Sequence, residues 1–327
     1  MRWLNERLQE ERGATAVFFA LLLIPLIAIA AISVDVGALY ANKAYLQNSA
    51  DAAALKVAIA CAHDETSSSC VSPDTASIAT ANDPVNGAVV NPLVVNTTTN
   101  LVTAAASSGA STPFAALLPG GARSSMVSSS GAAEWGPITG GSTLPLAVGL
   151  CDYVAPTTPP TKVTININNN GSSKTCDGTS VPGGFGWLAM TSLSVCASTM
   201  TSGDWVNITT GNNPPGNPNG ACNPTFFQAL IGTTVLLPII GATNSSGGSG
   251  GQYQITAFAE FVITGYNFQG GFSQPDNTAP APSGNTYLQG YFTNYVSVGD
   301  GAQITPTATC QPAEPCAMGA QLTLRTS

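Results

Sequence analysis

Between Gly13 and Val34 the chain carries no charged residue, and the 21-residue run Ala14–Val34 is almost wholly apolar. Coiled into a helix at about 1.5 Å per residue, that run just crosses a hydrocarbon core roughly 30 Å thick, which predicts a membrane span. Pro25 lies in its middle and predicts a kink, a feature that membrane helices tolerate when neighbouring groups satisfy the freed carbonyl. Arg2, Arg7 and Arg12 precede the run, whereas Lys43 is the only cation in the 20 residues after it. This bias places the N-terminus in the cytoplasm and everything after residue 34 outside. Ala28-Ile29-Ala30 also fits a signal-peptidase site, but hydrophobicity continues past Ala30 without a polar break, which favours a retained anchor.

The helical pattern does not stop at the membrane. From Asp35 to Cys61 there is no proline and a single early glycine, and Leu39, Leu46, Ala50, Ala53 and Val57 fall on one stripe. Asn42, Lys43, Gln47, Asn48, Asp51 and Lys56 occupy the remaining surface. The expectation is one helix of about 50 residues, leaving the bilayer for the outer compartment and offering its small-residue stripe to a partner helix.

Charge separates this helix from the rest. Only 8% of the 327 residues are charged, against about 25% in an average soluble domain, and the net charge is −8. Beyond residue 62 the cations are Arg123, Lys162, Lys174 and Arg325, too few for a phosphate-binding surface, so nucleic acid is not expected as a partner. The 34 glycines and 23 prolines favour short strands joined by long turns. His63 is the only histidine, which removes most zinc sites and most imidazole-based acid–base designs.

The string Glu11-Arg12-Gly13-Ala14-Thr15-Ala16-Val17, Pro25 within the span, Asp35-Val36-Gly37, Tyr40, and Leu46-Gln47-Asn48-Ser49-Ala50-Asp51-Ala52-Ala53-Ala54-Leu55 resemble the N-terminal region of TadG-like proteins of the Tad (Flp pilus) assembly machinery of bacteria. The resemblance implies a single-pass protein of the bacterial cytoplasmic membrane whose partners are other Tad pilus-assembly or pseudopilin subunits and the lipid bilayer. One departure refines it. Pilins and pseudopilins cut by prepilin peptidase carry glutamate five residues after the cut, and a cut after Gly13 puts Phe18 there. Phenylalanine cannot accept the charge-assisted contact that a glutamate makes with a neighbouring N-terminus, which implies an anchored assembly protein rather than a processed fibre subunit.

Cysteines at positions 61, 70, 151, 176, 196, 222, 310 and 316 all lie on the side assigned outside, and eight thiols without histidine partners read as four disulfides. Spacing leaves the connectivity open; pairing neighbours in sequence gives Cys61 with Cys70, Cys151 with Cys176, Cys196 with Cys222, and Cys310 with Cys316. Between residues 71 and 135 the pattern predicts a helix near Asp74–Ala81, strands near Ala88–Val95 and Asn100–Ala106, a turn at Pro113–Leu118, and a strand near Ser124–Ser129. Later, alternation predicts strands at Val163–Ile167, Tyr253–Ile263 and Tyr287–Val298, and an apolar strand Thr233–Ile240 whose Pro238 favours a sheet edge. The fold class is therefore α+β: a cytoplasmic tail (1–12), a transmembrane helix (13–34), an exoplasmic helical extension (35–62), a small pilin-like α/β layer (63–143), and a β-rich disulfide-containing head (144–327).

No enzymatic site, cofactor or metal is expected. Gly247-Gly248-Ser249-Gly250-Gly251 matches a nucleophile elbow in letters only, lying in a low-complexity loop rather than between strand and helix. Asp64-Glu65-Thr66-Ser67-Ser68 follows a helix and reads as a solvated turn, and His63 as a helix-end cation rather than a metal ligand. Trp135, Trp187 and Trp205 with Tyr287, Tyr291 and Tyr295 supply the alternative, a cell-envelope or glycan contact made by a surface adhesin that uses the helix only as anchor. The leading expectation is a non-enzymatic component of pilus assembly.

Overall fold

The computed structural model describes the chain except residues 1, 75–86, 118–119, 167–172, 177–178, 183–184, 210–212, 217–219, 245–250, 295, 299–301, 311–313 and 324–327; side chains are further left aside at 2–15, 173–176, 179–182, 185 and 296–298. The expected helix 74–81 falls almost entirely outside the described residues, as do residues 247–250 of the glycine-serine loop. The chain divides into two compact units, one of residues 1–56, 73–94 and 102–132, the other of 57–72, 95–101 and 133–327.

A single helix, α1 (Arg2–His63), runs through 62 residues with Pro25 inside it. Alanine and leucine dominate it, and both hold a helix at little entropic cost. In the first unit it lies on three strands: β1 (Val89–Asn96), β2 (Leu101–Ser111) and β3 (Ser124–Thr143), neighbours in that order within one sheet. Along β2 the buried positions are Val102, Ala104, Ala106, Ser108 and Ala110, a period of two built almost entirely from small side chains. The closest approach is at Gly131 of β3, where a Cβ would stand 2.6 Å from the Asp51 nitrogen and 2.7 Å from the Ala50 carbonyl carbon. Glycine is required there because helix backbone occupies the space of a side chain. Between β2 and β3 a short 3-10 turn, Ala115–Leu117, caps the hairpin.

The second unit holds the remaining strands: β4 (Leu146–Gly149), β5 (Val163–Asn166), β6 (Ser173–Cys176), β7 (Thr179–Pro182), β8 (Phe185–Trp187), β9 (Ser198–Thr201), β10 (Trp205–Asn207), β11 (Thr234–Thr243), β12 (Gln252–Phe268), β13 (Phe272–Gln274), β14 (Tyr287–Thr293), β15 (Val296–Val298), β16 (Ala302–Ile304) and β17 (Met318–Leu322). The C-terminal part of β3 pairs antiparallel with β17, β16 and β9. A second sheet runs β5-β14-β12-β11-β4-β8, with β10 and β13 also on β12, and β6 with β7 form a separate ribbon. Its core is aromatic. Helix α2 (Ser68–Val71) follows α1, and α3 (Pro224–Ala229) delivers Phe227, whose ring makes edge contacts with Trp187, Phe268 and Phe272 at centroid distances of 5.8, 5.3 and 5.8 Å. The geometry of α3 is set just before it: Asn223 accepts a hydrogen bond from the Phe226 N–H at 3.0 Å, Pro224 starts the turn, and Cys222 is bonded to Cys196.

Three differences from the sequence reading have physical causes. Strand β3 extends 14 residues past the expected end at Ser129, because Gly131, Ala132, Ala133 and Gly136, weak strand formers, are recruited by pairing and close packing rather than by propensity. The expected strand Tyr287–Val298 breaks after Thr293 into β14 and β15, which pair in different sheets. Pro238 lies within an inner strand, since β11 has β12 on one side and β4 on the other; β4 pairs only at Ile239 and Ile240, next to an irregularity in the β12 register, so the proline abuts a short ladder.

One ion pair ties the second unit's long 275–285 segment to β5. Lys162 Nζ lies 2.7 Å from Asp276 Oδ2, and Asp276 also accepts from the backbone and hydroxyl of Thr278. Lys162, then the hydroxyls of Thr264 and Thr278, hold the Asp276 carboxyl well below the usual carboxylate range. A carboxyl depressed by folding stabilises the native state above its unfolded pKa of about 3.9 and loses that contribution as pH falls below it. Lys162→Met should therefore cost about 1 kcal/mol or less at neutral pH, given the partial exposure of the lysine, and flatten the stability profile below about pH 4, measured by denaturant unfolding across pH. Gly131→Val should destabilise the first unit by about 1–3 kcal/mol through overpacking against α1, read as a lower unfolding midpoint in detergent.

Candidate functional site

The first candidate surface is the helix itself. From Ala16 to Ala30 every residue is exposed, and 12 large apolar side chains between Val17 and Val34 face outward, Phe18 at 72% exposure. Removing them from water is worth roughly 18–36 kcal/mol at about 1.5–3 kcal/mol each, more than the net stability of an ordinary domain. The helix is long and apolar enough to span a membrane.

Where the apolar run ends, the helix surface changes function within one residue. Asp35 is buried, and its carboxylate accepts the backbone N–H of Ala115 and, at 3.4 Å, that of Phe114. Asn42 accepts from the Ser108 hydroxyl at 3.1 Å. Gln47 accepts from the Ser129 hydroxyl at 2.6 Å, and its amide donates to Asp51 at 2.7 Å and to the Ser130 carbonyl at 3.2 Å. Three polar residues thus fasten successive levels of α1 to the turn, to β2 and to β3. The sequence puts Asn42, Gln47 and Asp51 on the surface outside the apolar stripe; in the structure Asn42 is buried and Gln47 and Asp51 are half-buried, while Val36, Tyr40 and Tyr45 are exposed.

The small-residue stripe is occupied within the chain. Leu46, Ala50 and Ala53 are fully buried in the first unit, Val57 is buried in the second, and Leu39 is half-buried. The close approach that Ala50 permits is made by Gly131 of β3, so a second helix finds no open seam at these positions. Among the described residues, the named aromatic side chains are mostly buried. Trp135 and Trp187 are fully buried, Tyr287 is in the core, Tyr291 is half-buried, Trp205 alone of the tryptophans named is exposed, and Tyr295 lies outside the described residues. Packing explains this: the Trp135 indole N–H donates to Glu65 at 3.2 Å, and Trp187 meets Phe227 and Phe268 edge-on.

Within the second unit, a cleft of 650 Å³ lies beside the end of α1. Its wall includes His63, Asp64, Glu65, Thr98, Asn100 and Glu314, and disulfides Cys61–Cys70 and Cys310–Cys316 border it. Asn100, in the left-handed conformation (φ 51°), donates to the Pro306 carbonyl at 2.6 Å and fixes one rim. Asp64 accepts from the Thr66 hydroxyl at 2.7 Å and backbone at 2.9 Å, and these two bonds lower its pKa. The segment is a solvated turn. Among the described residues no three His, Cys, Asp or Glu side chains converge as a metal site. Cys196 is bonded to Cys222, and Cys151 is disulfide-bonded; Cys176, its expected partner, lies where side chains are not described.

These features define a class: a β-rich protein with internal disulfides, carried on an apolar N-terminal helix that can cross a bilayer. Residues 13–60, the apolar run and its docked extension, match the family model described as "Putative Flp pilus-assembly TadE/G-like". No curated protein and no solved structure matches the chain.

Replacing Asp35 with alanine removes the acceptor for two turn N–H groups and should cost about 1–3 kcal/mol locally, seen as faster amide exchange at Phe114 and Ala115. Thiol titration of denatured, unreduced protein isolated from its native host should find no free cysteine; two or more free thiols would contradict an oxidising compartment.

Proposed function

We propose that the chain is a membrane-anchored, non-enzymatic component of a Tad/Flp-type pilus assembly system, with its N-terminus in the cytoplasm and the β-rich body outside. The observation that carries this reading is the coincidence of the family match with the structural span: residues 13–60 contain both the exposed apolar helix and the polar contacts by which it holds its own sheet. The arginines before the span set the orientation, and the disulfides agree with an exported body. Phe18 in place of a glutamate supports a retained anchor.

Partner subunits then meet the chain within the bilayer, along residues 16–34, and along the outward face of α1 marked by Val36, Tyr40 and Tyr45, because Leu46, Ala50 and Ala53 are already packed. The adhesin reading loses its support with the burial of Trp135, Trp187 and Tyr287.

Exchanging residues 14–34 for an unrelated apolar span of equal length should preserve membrane attachment and abolish pilus output in the native host. Unchanged output would remove the span from partner recognition. N-terminal sequencing of the mature protein should find residues before Gly13; a start at Ala14 or near Ala31 would refute the retained anchor.

A further inference from the structure

The hairpin of β2 and β3 points back toward the end of the apolar run. Ser108 bonds Asn42, Ser129 bonds Gln47, and the turn between the strands bonds Asp35, so chain position along the hairpin maps onto height along α1. From Ser129 back to Ser124 is about 17 Å of strand, equal to about 11 residues of helix, which sets the start of β3 level with Val36. The turn therefore lies beside the last residues of the span.

Among its described residues, the turn is hydrogen-bonded at its base and apolar at its tip. Thr112 closes the base, its N–H donating to the Arg123 carbonyl at 2.9 Å and its hydroxyl to the Ala122 carbonyl at 2.8 Å, and Ala116 and Leu117 donate back to Thr112 and Phe114. With Asp35 accepting from the N–H groups of Phe114 and Ala115, the turn presents Leu117 at 80% exposure and Phe114 at 39%. Exposed Met126 and Arg123 follow at the start of β3. Arg123 is one of only four cations beyond residue 62. On α1 at the same level Tyr40 is 77% exposed. Apolar tips, an arginine that reaches phosphate, and an amphipathic ring are the side chains that settle at a membrane interface.

We infer that the turn carrying Phe114 and Leu117 is a second membrane contact, entering the headgroup region of the outer leaflet while Arg123 meets lipid phosphate. This rests on the reading of α1 as a span, and its occupant is lipid because the patch is continuous with the surface that the bilayer covers. The first unit is thereby held to the membrane at two points, the helix and the hairpin tip.

The test uses the full chain in vesicles of phosphatidylethanolamine and phosphatidylglycerol, with photoreactive benzoylphenylalanine replacing Leu117, Leu22 or Val94 one at a time. Val94 is exposed on β1 near the turn that joins it to β2, the end of the hairpin away from Phe114. Irradiation should give lipid adducts at Leu117 and Leu22 and none at Val94. Lipid adducts at Leu22 with none at Leu117 would overturn the second contact alone. Loss of adducts at both would overturn the span and the contact together, and equal adducts at Val94 would show nonspecific labelling and remove the claim. Protein adducts in place of lipid at Leu117, in native membranes, would replace the lipid with a protein partner and overturn the inference as stated.

Discussion

Close packing between a helix and a strand that carries no side chain at the point of contact is the constraint on which the first unit depends. At Gly131 the strand lies against the backbone of Ala50 and Asp51. Such an approach leaves no volume for a larger residue, and it explains why β2 buries Ala104, Ala106, Ser108 and Ala110 instead of the branched residues common in strands. A thin interface of this kind buries little apolar area. Specific hydrogen bonds supply the register, and Asp35, Asn42 and Gln47 provide them at three heights.

The second unit solves its packing differently. Its core is filled by large rings around Phe227, and the position of that residue is dictated by Cys222, Asn223 and Pro224 immediately before it. A disulfide, a cap and a proline in consecutive positions restrict a six-residue helix that could not persist alone. The body carries few charges, so its order comes from these local devices and from edge-on aromatic contacts.

How much of this was legible follows from the same physics. Long periodic signals were readable: α1 shows through its uncharged run and unbroken helical pattern, and β12 through the alternation of Ile255, Phe261 and Ile263 with polar neighbours. The 20-residue strand β3 was not, because Ser, Gly and Ala carry no alternation strong enough to register, and its existence depends on partners distant in sequence. The helix stripe is legible as an apolar face expected to meet a partner helix, but sequence periodicity identifies such a face without saying whether the chain itself or another molecule covers it. The aromatic residues posed the same ambiguity, which the packing of Trp135 and Trp187 resolves toward the interior.

The separation in sequence between α1 and the strand that covers it has a consequence for biosynthesis. Ala50 emerges from the ribosome 81 residues before Gly131. At about 5–20 residues per second, the helix waits roughly 4–16 s before its own sheet can be made. During that interval Leu46, Ala50 and Ala53 stand uncovered by β3 on the nascent chain. Any molecule that binds that face competes for it only in this window, and once β3 has docked the opportunity is closed.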